Sequence, residues 1–482
     1  MEKIYQVITW LSLFSYWLLL AFITVRIIFK RREVSSAFAW LLIIYIIPLF
    51  GLIIYLLIGE LGQGYIRNSK TKLMFFPYIE WFRKLKGKKI TTDNFHHDSS
   101  SFINKLCLNK LFIPSLTYNN LEILNHPNNI LSSILKDIRQ SKSFIHFEFY
   151  IWSAGGVTNV IAQELIKSSS RGVKVRILLD AAGSRKFFKT KWPQIFQSNN
   201  IEIKEALKVQ PLRMFFRRLD YRQHRKIIVI DNEIGYTGSM NMIDPRYFKK
   251  SSHVGQWIDL MVRMKGPAVY ILHAIQSWDW EIETNQRILK KEDFIPINKD
   301  YLSSVQVIPS GPMFGSIISQ VLVLAIHNAR NEITITTPYF VPSDRIIHAL
   351  KTAGERCIKV NIIIPNKNDS IMVEWASRAF FEELLMSGVR IFRYTEGLLH
   401  TKSVVIDNNL SLVGTVNIDV RSLQINDELT LAIEDSEFTK KLNSIQQEYI
   451  RNSIEVSEKS WKKRSFGKKV LEQFFYLFSP LL

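Results

Sequence analysis

The stretch HRKIIVIDNEIGYTGSMN, residues 224–241, decides how this chain is interpreted. It contains a histidine, a lysine two positions later, a short β-branched run, an aspartate and a Gly-Ser-x-Asn group. The same arrangement returns in HTKSVVIDNNLSLVGTVN, residues 400–417, so both segments follow the pattern HxKx4Dx6G[ST]xN. Agreement at so many defined positions indicates a duplicated unit.

The segments around the two motifs repeat as well. RGVKVRILLD precedes the first motif and RCIKVNIIIP precedes the second. Beyond residue 115, short β-branched runs alternate with helical stretches, which predicts an α/β fold of two repeats, 116–300 and 301–460. The predicted strands are Phe144–Ile151, Val173–Leu179, Lys226–Ile230, Ile333–Thr337, Val360–Ile364, Ser403–Ile406 and the segment GVRIFRY at 388–394.

The spacing within each motif predicts a catalytic pair. Residues i and i+2 of an extended strand point to the same face, so His224 should project with Lys226, and His400 with Lys402. A neutral imidazole can attack phosphorus, while a second imidazole donates a proton to the leaving alkoxide. The pattern therefore predicts phosphodiester chemistry through a phosphohistidine, with no metal or cofactor.

Other polar residues of the motifs complete the predicted site. The two lysine ammonium groups and the side-chain amides of the asparagines would stabilise the phosphate oxygens in the transition state. The predicted phosphate-binding residues are Asn241, Asn417, Ser239 and Thr415. Each histidine should need an orienting carboxylate. The candidates are Asp259 in GQWIDL and Glu428 in QINDEL, each following the histidine of its own repeat.

Three further carboxylates complete the set of predicted site residues. Asp231 and Asp407 belong to the catalytic motifs, but they stand where a strand ends, and bracing a turn is the favoured role. Glu148 shares a strand face with His146 and is predicted to line the site, where it would contact a lysine or a head group.

The N-terminus is predicted to form a two-helix transmembrane hairpin, with spans at 4–29 and 37–58. Both runs reach the roughly 20 apolar residues that a spanning helix needs. A cleavable signal peptide is the alternative for the first run, but no small-residue cleavage site follows it. The segment 61–115 is expected to be a basic linker. Its positive charges favour a cytoplasmic catalytic part, whereas Lys30, Arg31 and Arg32 in the short loop argue for the opposite orientation.

Charge and cysteine content restrict the partners. The 482 residues carry a net charge of +20, which favours nucleic acid or an acidic lipid surface. Two basic segments suit lipid head groups and the membrane interface. One is the tail at 461–482, which joins lysines to aromatic residues, and the other is an arginine cluster before and inside the first motif, formed by Arg213, Arg217, Arg218, Arg222 and Arg225. Two distant cysteines, Cys107 and Cys357, argue against a structural zinc site.

The paired motifs resemble the HKD signature of the phospholipase D superfamily, and the chain is most similar to its bacterial cardiolipin synthases. That similarity rests on HFEFYIW (146–152), YRQHRKIIVID (221–231), TPYFVP (337–342), NIDVRSLQINDE (417–428) and FSPLL (478–482). The resemblance implies two repeats sharing one active site, a multi-pass cell-membrane enzyme, and phosphatidylglycerol and cardiolipin as partners rather than nucleic acid. It also implies His224 as nucleophile and His400 as acid/base, although the reverse order stays open.

Three other functions compete with this interpretation. One is hydrolysis of phospholipid or nucleic acid on the same scaffold. Another is phosphatidyl transfer to a different alcohol. The last is a non-catalytic membrane scaffold that binds acidic lipid, which would not need two complete His–Lys pairs.

Overall fold

Two compact units make up the chain in the computed structural model, which describes residues 2–29, 34–59, 65–208, 220–249, 252–289 and 295–479. One unit is Met1–Tyr65 with Gln210–Tyr221, and the other is Ile66–Val209 with Arg222–Leu482. The larger unit contains both sequence repeats.

The N-terminal unit is helical. It contains α1 (Glu2–Phe29), α2 (Val34–Ile46), α3 (Pro48–Ile54) and a π-helical turn (Tyr55–Gly59). Helix α1 is long and apolar enough to cross a membrane. The second predicted span is interrupted at Ile47, because Pro48 lacks an N–H group and its ring clashes with the preceding turn. Among the described residues only α1 reaches spanning length, so the two-helix hairpin is not confirmed.

The segment predicted as a basic linker is a folded part of the larger unit. It forms α4 (Tyr65–Leu85) and α5 (Asp98–Leu111). The side chains of Phe75, Tyr78, Phe82 and Leu85 are buried in the main core. They recur every three or four residues, which places them on one helix face. The linker prediction was wrong because the many lysines obscured this periodicity.

A single 15-stranded sheet runs through both repeats. In the first repeat the strands are β1 (Leu116–Leu124), β2 (Phe144–Phe149), β3 (Lys174–Asp180), β4 (Glu202–Ala206), β5 (Ile227–Ile230), β6 (Ile234–Gly238), β7 (Trp257–Ile258) and β8 (Met261–Lys265). In the second they are β9 (Ser303–Ser310), β10 (Glu332–Thr336), β11 (Phe340–Val341), β12 (Lys359–Pro365), β13 (Arg390–Tyr394), β14 (Leu398–Leu399), β15 (Ser403–Ile406), β16 (Leu410–Gly414), β17 (Ile418–Asp419), β18 (Glu428–Glu434) and β19 (Ser453–Glu455). Each predicted strand coincides with an observed strand to within two residues.

The strand order has an internal two-fold pattern. Strands β9 and β1 pair antiparallel at the centre of the sheet. From β1 outward the order is β8, β6, β5, β2, β3, β4, and from β9 outward it is β18, β16, β15, β10, β12, β13, followed by β19. Strands β7 and β14 form a separate two-stranded sheet, as do β11 and β17. The repeats therefore have the same topology and meet at their first strands.

Helices cover the sheet. They are α6 (Pro127–Gln140), α7 (Val157–Ser170), α8 (Arg185–Phe188), α9 (Trp192–Ser198), α10 (Ala268–Thr284), α11 (Ile317–His327), α12 (Asp344–Glu355), α13 (Ile371–Arg378), α14 (Phe381–Met386), α15 (Val420–Gln424), α16 (Ser436–Arg451), α17 (Glu458–Lys462) and α18 (Phe466–Tyr476). Strands β5 and β15 are buried along their whole length, which explains their continuous β-branched runs. Each of these two strands is therefore a rigid element, and the His–Lys pair of its motif comes directly before it in the chain.

Candidate active site

Both motif histidines lie at the same edge of the sheet. Strand β5 pairs antiparallel with β2, with Ile227 opposite Glu148 near the end of β2. Strand β15 pairs in the same way with β10, with Ser403 opposite Thr336. The two His–Lys pairs therefore precede equivalent strands, beside the ends of β2 and β10.

A backbone crossing joins His224 to the second repeat. Gln223 forms a parallel bridge with Asp427, and the His224 N–H donates to the Asp427 carbonyl at 2.9 Å. This contact places the next residue, Glu428, against the imidazole, with both carboxylate oxygens 2.8 Å from His224 Nδ1. The carboxylate that orients His224 thus comes from the other repeat.

The mirror arrangement holds His400. Strand β7 pairs with β14, and the His400 N–H donates to the Ile258 carbonyl at 2.8 Å. Asp259 Oδ1 consequently lies 2.7 Å from His400 Nδ1. Asp259 and Glu428 do contact the histidines, but the predicted pairing within each repeat was wrong. The repeats join at their first strands, so each carboxylate faces the histidine of the opposite half.

The hydroxyl groups of the two motifs bind these carboxylates. Ser239 Oγ donates to Asp259 Oδ1 at 2.6 Å, and Thr415 Oγ1 donates to Glu428 Oε2 at 2.5 Å. Each hydroxyl also accepts a backbone N–H bond at 2.9 Å, from Leu260 or Leu429. Ser239 and Thr415 were predicted to bind phosphate. That prediction was wrong, because both hydroxyls are buried and already committed to positioning a carboxylate.

Both motif lysines are buried beside their histidines. Lys226 Nζ donates to the His224 carbonyl at 2.6 Å, and Lys402 Nζ donates to the His400 carbonyl at 2.7 Å. Burial, together with the charge of the other lysine, lowers the pKa of Lys226 to about 7. Burial lowers the pKa of Lys402 to about 8 against the opposing effect of nearby carboxylates. A phosphate anion bound next to either amine would favour its charged form.

The electrostatics favour neutral imidazoles. Burial and the charges of Lys226 and Lys402 lower the pKa of His224, and His400 adds to the effect. Burial and Lys402 lower the pKa of His400 to about 4, although Asp259 opposes them. The two motifs therefore act on one another within a single site. Because a carboxylate occupies each Nδ1, each ring keeps Nε2 for chemistry.

The two orienting carboxylates differ in their electrostatics. Burial raises the pKa of Glu428 to about 7, despite Lys226 and the Thr415 hydroxyl. Burial also raises the pKa of Asp259, but the His400 charge and hydrogen bond outweigh it and bring the pKa below its ordinary value. His400 consequently has the more strongly ionised partner.

The motif asparagines keep some hydrogen-bonding capacity. Asn241 Oδ1 accepts the Ile151 N–H at 3.2 Å, and Asn417 Nδ2 donates to Ser422 Oγ at 3.2 Å. Asn417 Oδ1 is buried without a partner in the described part of the chain. Phosphate binding by Asn241 and Asn417 stays a prediction.

Asp231 and Asp407 lie away from the reacting groups, at the far ends of β5 and β15. Asp231 accepts three backbone N–H bonds of 2.7–2.8 Å from residues 142–144, and Asp407 accepts three of 2.7–2.9 Å from residues 330–332. Each lies seven positions after its histidine, which is roughly 23 Å along an extended chain. This geometry fits the bracing role and not a catalytic one.

Glu148 lies in a buried polar network beside the site. Its carboxyl accepts a hydrogen bond from Gln223, and burial and then Asp279 raise its pKa. Arg225 bonds Asp279 and also donates to the Glu428 carbonyl at 3.0 Å. The predicted lysine contact of Glu148 is not found among the described residues, where Gln223 is the donor to its fully buried carboxyl. Arg225 links the repeats rather than attracting lipid, and Arg213, Arg217 and Arg218 of its cluster fall outside the described residues.

Two aromatic residues beside the histidines were not predicted as part of the site. The Tyr150 ring lies 4.9 Å from the His224 ring, and the Trp257 ring lies 4.4 Å from the His400 ring. A signal was present, since Tyr150 is the next-to-last residue of the predicted strand Phe144–Ile151 and Trp257 stands two residues before Asp259. Their short distance along the chain from predicted site residues was the available clue.

Comparison with known proteins gives the class. The family described as "Cardiolipin synthase, PLD-like domain" matches residues 134–259 and 322–450, one match in each repeat. A second family, "Phospholipase_D-nuclease N-terminal", matches residues 18–60. The crystal structure of phosphatidylserine synthase from Haemophilus influenzae Rd KW20 has the same fold, with a TM-score of 0.59 at 15% identity over 79% of this chain and all of that one. Fold and site thus define a phospholipase D-like protein with two repeats.

Full-length relatives give the family. The chain is 48% identical to "Cardiolipin synthase A" of Wigglesworthia glossinidia brevipalpis over all of this chain and 98% of that protein. It is 47% identical to "Cardiolipin synthase A" of Yersinia pseudotuberculosis serotype O:1b (strain IP 31758) over the whole of both chains. The chain belongs to the cardiolipin synthase family, and it is a phosphatidyltransferase.

Proposed function

We propose that the chain joins two phosphatidylglycerol molecules into cardiolipin and glycerol. The observation that carries the proposal is the pair of crossed contacts, His224 with Glu428 and His400 with Asp259. These contacts leave two Nε2 atoms and two lysine amines at one site. Such a set can hold a phosphodiester and transfer its phosphoryl group twice.

In the first step, Nε2 of one neutral histidine attacks phosphorus of the donor lipid. The P–O bond to the head-group glycerol breaks, and the second histidine gives the departing oxygen a proton. In the second step, a glycerol hydroxyl of another phosphatidylglycerol attacks the phosphohistidine and passes its proton to the second histidine. The P–N bond breaks, and cardiolipin leaves.

His224 is the proposed nucleophile and His400 the proposed acid/base. Family resemblance suggests this order. The difference between the carboxylates supports it, because the ionised Asp259 opposes the burial that lowers the pKa of His400, and a bound phosphate anion would raise that pKa further, as an acid/base requires. Glu428, whose pKa is near 7, favours a neutral ring at His224.

The test uses the purified full chain with phosphatidylglycerol labelled in its acyl chains and its head group. We expect cardiolipin and free glycerol without added metal or nucleotide. Phosphatidic acid as the main product would favour a hydrolase, and no turnover would favour a lipid-binding scaffold. Phosphatidyl transfer to added serine at the expense of cardiolipin would favour another acceptor.

Variants of the histidines test the shared site. His224→Ala and His400→Ala should each abolish cardiolipin formation, whereas His348→Ala, at an exposed position on α12, should not. An acid-labile phosphatidyl–protein adduct should map to His224. Wild-type rates from either site variant, or an adduct on another residue, would contradict the mechanism.

We also propose that the N-terminal unit crosses the cell membrane twice, with the catalytic repeats on the cytoplasmic side. Residues 34–59 would form the second crossing despite the break at Pro48, since apolar helices cover nearly the same length as α1. The lysines and arginines after residue 65 support this orientation.

A native cysteine offers a test of the orientation. Cys357 is exposed and Cys107 is buried. A membrane-impermeant maleimide should therefore label Cys357 only after cells are permeabilised, and Cys357→Ser should remove the label. Labelling of intact cells would place the catalytic repeats outside.

The C-terminal tail is proposed to contact the bilayer through α18. Arg464 binds Glu472 and Glu382, and the Tyr476 ring packs 5.3 Å from Phe380, so one side of the helix is attached to the larger unit. The exposed side carries apolar residues at spacings of three and four, Phe466, Val470, Phe474 and Leu477, and Lys469 follows Phe466 by three positions. Exposed apolar side chains next to lysines fit an acidic lipid surface.

Substitution on this face should weaken lipid binding. The double variant Phe466→Ser with Phe474→Ser should raise the apparent KM for phosphatidylglycerol in mixed micelles several-fold. Leu302→Ser is the matched control, since Leu302 is 80% exposed in a loop and Phe466 is 81% exposed. An unchanged KM, or an equal effect of the control, would contradict the proposed contact.

A further inference from the structure

A charged cluster lies on the His400 side of the site, and the reaction as described above does not use it. The Asp369 carboxylate accepts hydrogen bonds from Tyr339 Oη and Lys249 Nζ, both at 2.8 Å. Its side chain is almost fully buried. Burial raises the pKa of Asp369, but Lys249 and Tyr339 outweigh burial and lower it, so the carboxylate is ionised.

Sheet register places this cluster next to the second motif. Thr336 at the end of β10 is opposite Ser403 of β15 on one side and Ile363 of β12 on the other. Tyr339 follows the end of β10, and Asp369 follows the end of β12, so both lie where the His400 motif begins.

A chain of contacts connects Asp369 with His400. Lys249 Nζ, which binds Asp369, lies 5.4 Å from the centre of the Trp257 ring. Trp257 in turn packs against the His400 ring at 4.4 Å. The carboxylate is therefore two side chains away from the imidazole, and the charge of His400 also acts on the pKa of Asp369.

One buried donor in this region has no protein acceptor. Within the described residues, Trp257 Nε1 has no hydrogen-bond partner, although the side chain is only 2% exposed. A buried N–H left unbonded is costly, so a ligand atom there would stabilise it. Each Asp369 oxygen also has a lone pair beyond the one that Tyr339 or Lys249 uses. Donor and acceptor together suit a ligand with hydroxyl groups, each of which donates and accepts.

The first repeat does not offer the same set. Its carboxylate at the end of β3, Asp180, accepts backbone N–H bonds from Ala182, Gly183 and Gln223. Backbone N–H groups therefore already bind both carboxylate oxygens of Asp180. At the end of this strand the first repeat therefore has no carboxylate comparable with Asp369 among the described residues.

We propose that Asp369, Tyr339 and Trp257 form a subsite for the glycerol head group, in which Asp369 accepts and Trp257 donates hydrogen bonds to glycerol hydroxyls. The inference rests on the proposed function with His400 as acid/base. Both the departing glycerol and the incoming phosphatidylglycerol exchange a proton with that histidine, so one subsite serves both steps. An anionic carboxylate there also keeps the phosphate of the acceptor away and selects alcohols with several hydroxyls.

The experiment measures which alcohol receives the phosphatidyl group. The full-length enzyme is loaded from a p-nitrophenyl phosphatidyl ester, whose leaving group needs no glycerol subsite. Phosphatidylglycerol, free glycerol and ethanol are present together as acceptors. The measured quantity is the ratio of glycerol-derived products to phosphatidylethanol, which does not depend on how much active enzyme remains.

Wild-type enzyme should favour the glycerol acceptors. Asp369→Asn should lower the ratio by about 10- to 100-fold, as expected for losing hydrogen bonds to a charged group. Trp257→Phe and Tyr339→Phe should lower it in the same direction by less. The matched control is Glu455→Gln, which breaks an exposed ion pair with Arg390 and should keep the wild-type ratio.

The outcomes separate this inference from the proposed function. An unchanged ratio in Asp369→Asn, or an equal fall in Glu455→Gln, overturns the subsite. If wild-type enzyme prefers free glycerol over ethanol but makes no cardiolipin, the subsite stands and the proposed function fails.

Discussion

Replacing Asp259 by asparagine tests the crossed arrangement directly. Asp259 Oδ1 accepts both the His400 Nδ1–H at 2.7 Å and the Ser239 hydroxyl at 2.6 Å. An asparagine of the same shape can keep both bonds through its amide oxygen. The substitution therefore removes the negative charge while leaving the ring in place.

The size of the effect follows from this geometry. A unit charge pair about 4 Å apart in a protein site is worth about 4 kcal/mol at an effective dielectric constant of about 20. Asp259 exerts most of that effect when His400 carries a proton in the transition state. Losing about 3–4 kcal/mol slows the reaction by about 10²–10³-fold. Ser239→Ala removes only one neighbouring donor and should cost about 10-fold.

Two measurements decide the matter. The first is the rate of cardiolipin formation by purified Asp259→Asn and Ser239→Ala enzymes, with Glu455→Gln as the control carboxylate substitution. The second is NMR of histidine-labelled protein, in which Asp259→Asn should shift the His400 ring signals and leave those of His224 unchanged. A shift of the His224 signals alone would show that Asp259 pairs with the histidine of its own repeat. A loss of rate of less than threefold would refute the electrostatic reasoning.

The remaining predictions concern stability and pH. Asp231→Asn should lower the free energy of unfolding by about 1–3 kcal/mol in urea titrations, because backbone N–H bonds are lost, while folded enzyme keeps kcat within a few-fold; loss of activity without loss of stability would contradict the bracing role. Arg225→Ala should destabilise by about 3–5 kcal/mol, since the buried Asp279 loses its partner, and Arg225→Ala with Asp279→Leu should recover part of it; equal melting temperatures for wild type and the single variant would contradict this. Because the pKa values of Lys226 and Lys402 are about 7 and 8, kcat/KM should fall as pH rises above about 7, where the free enzyme begins to lose these charges; a flat profile to about pH 9.5 would contradict the reasoning.

The strands and the chemically active side chains were predictable from the sequence because their signals are local. A β-branched run such as Ile227–Ile230 identifies a buried strand, and the i, i+2 spacing identifies the His–Lys pair. The partner of each histidine was not predictable in this way. Spacing along the chain places Asp259 nearer to His224, whereas the fold places it on His400 through the pairing of β7 with β14.

At two other places the structure differs from the prediction although the sequence contained a local signal. Pro48 stands inside the second apolar run, and a proline there interrupts a helix whatever the surrounding hydrophobicity. The aromatic residues of α4 keep helical spacing among many lysines, so overall charge suggested a linker where the periodicity indicated a packed helix. The hydroxyls of Ser239 and Thr415 are a different case, because only the fold shows that carboxylates already occupy them.

The exchange of carboxylates between halves has a consequence for the ancestry of such a chain. A protein with one motif would have needed a second copy of itself to complete each histidine, and its turnover would have depended on dilution. Covalent fusion makes that encounter intramolecular, at a high effective concentration. Fusion also releases the halves from being identical, which is how an aspartate can serve one histidine while a glutamate serves the other.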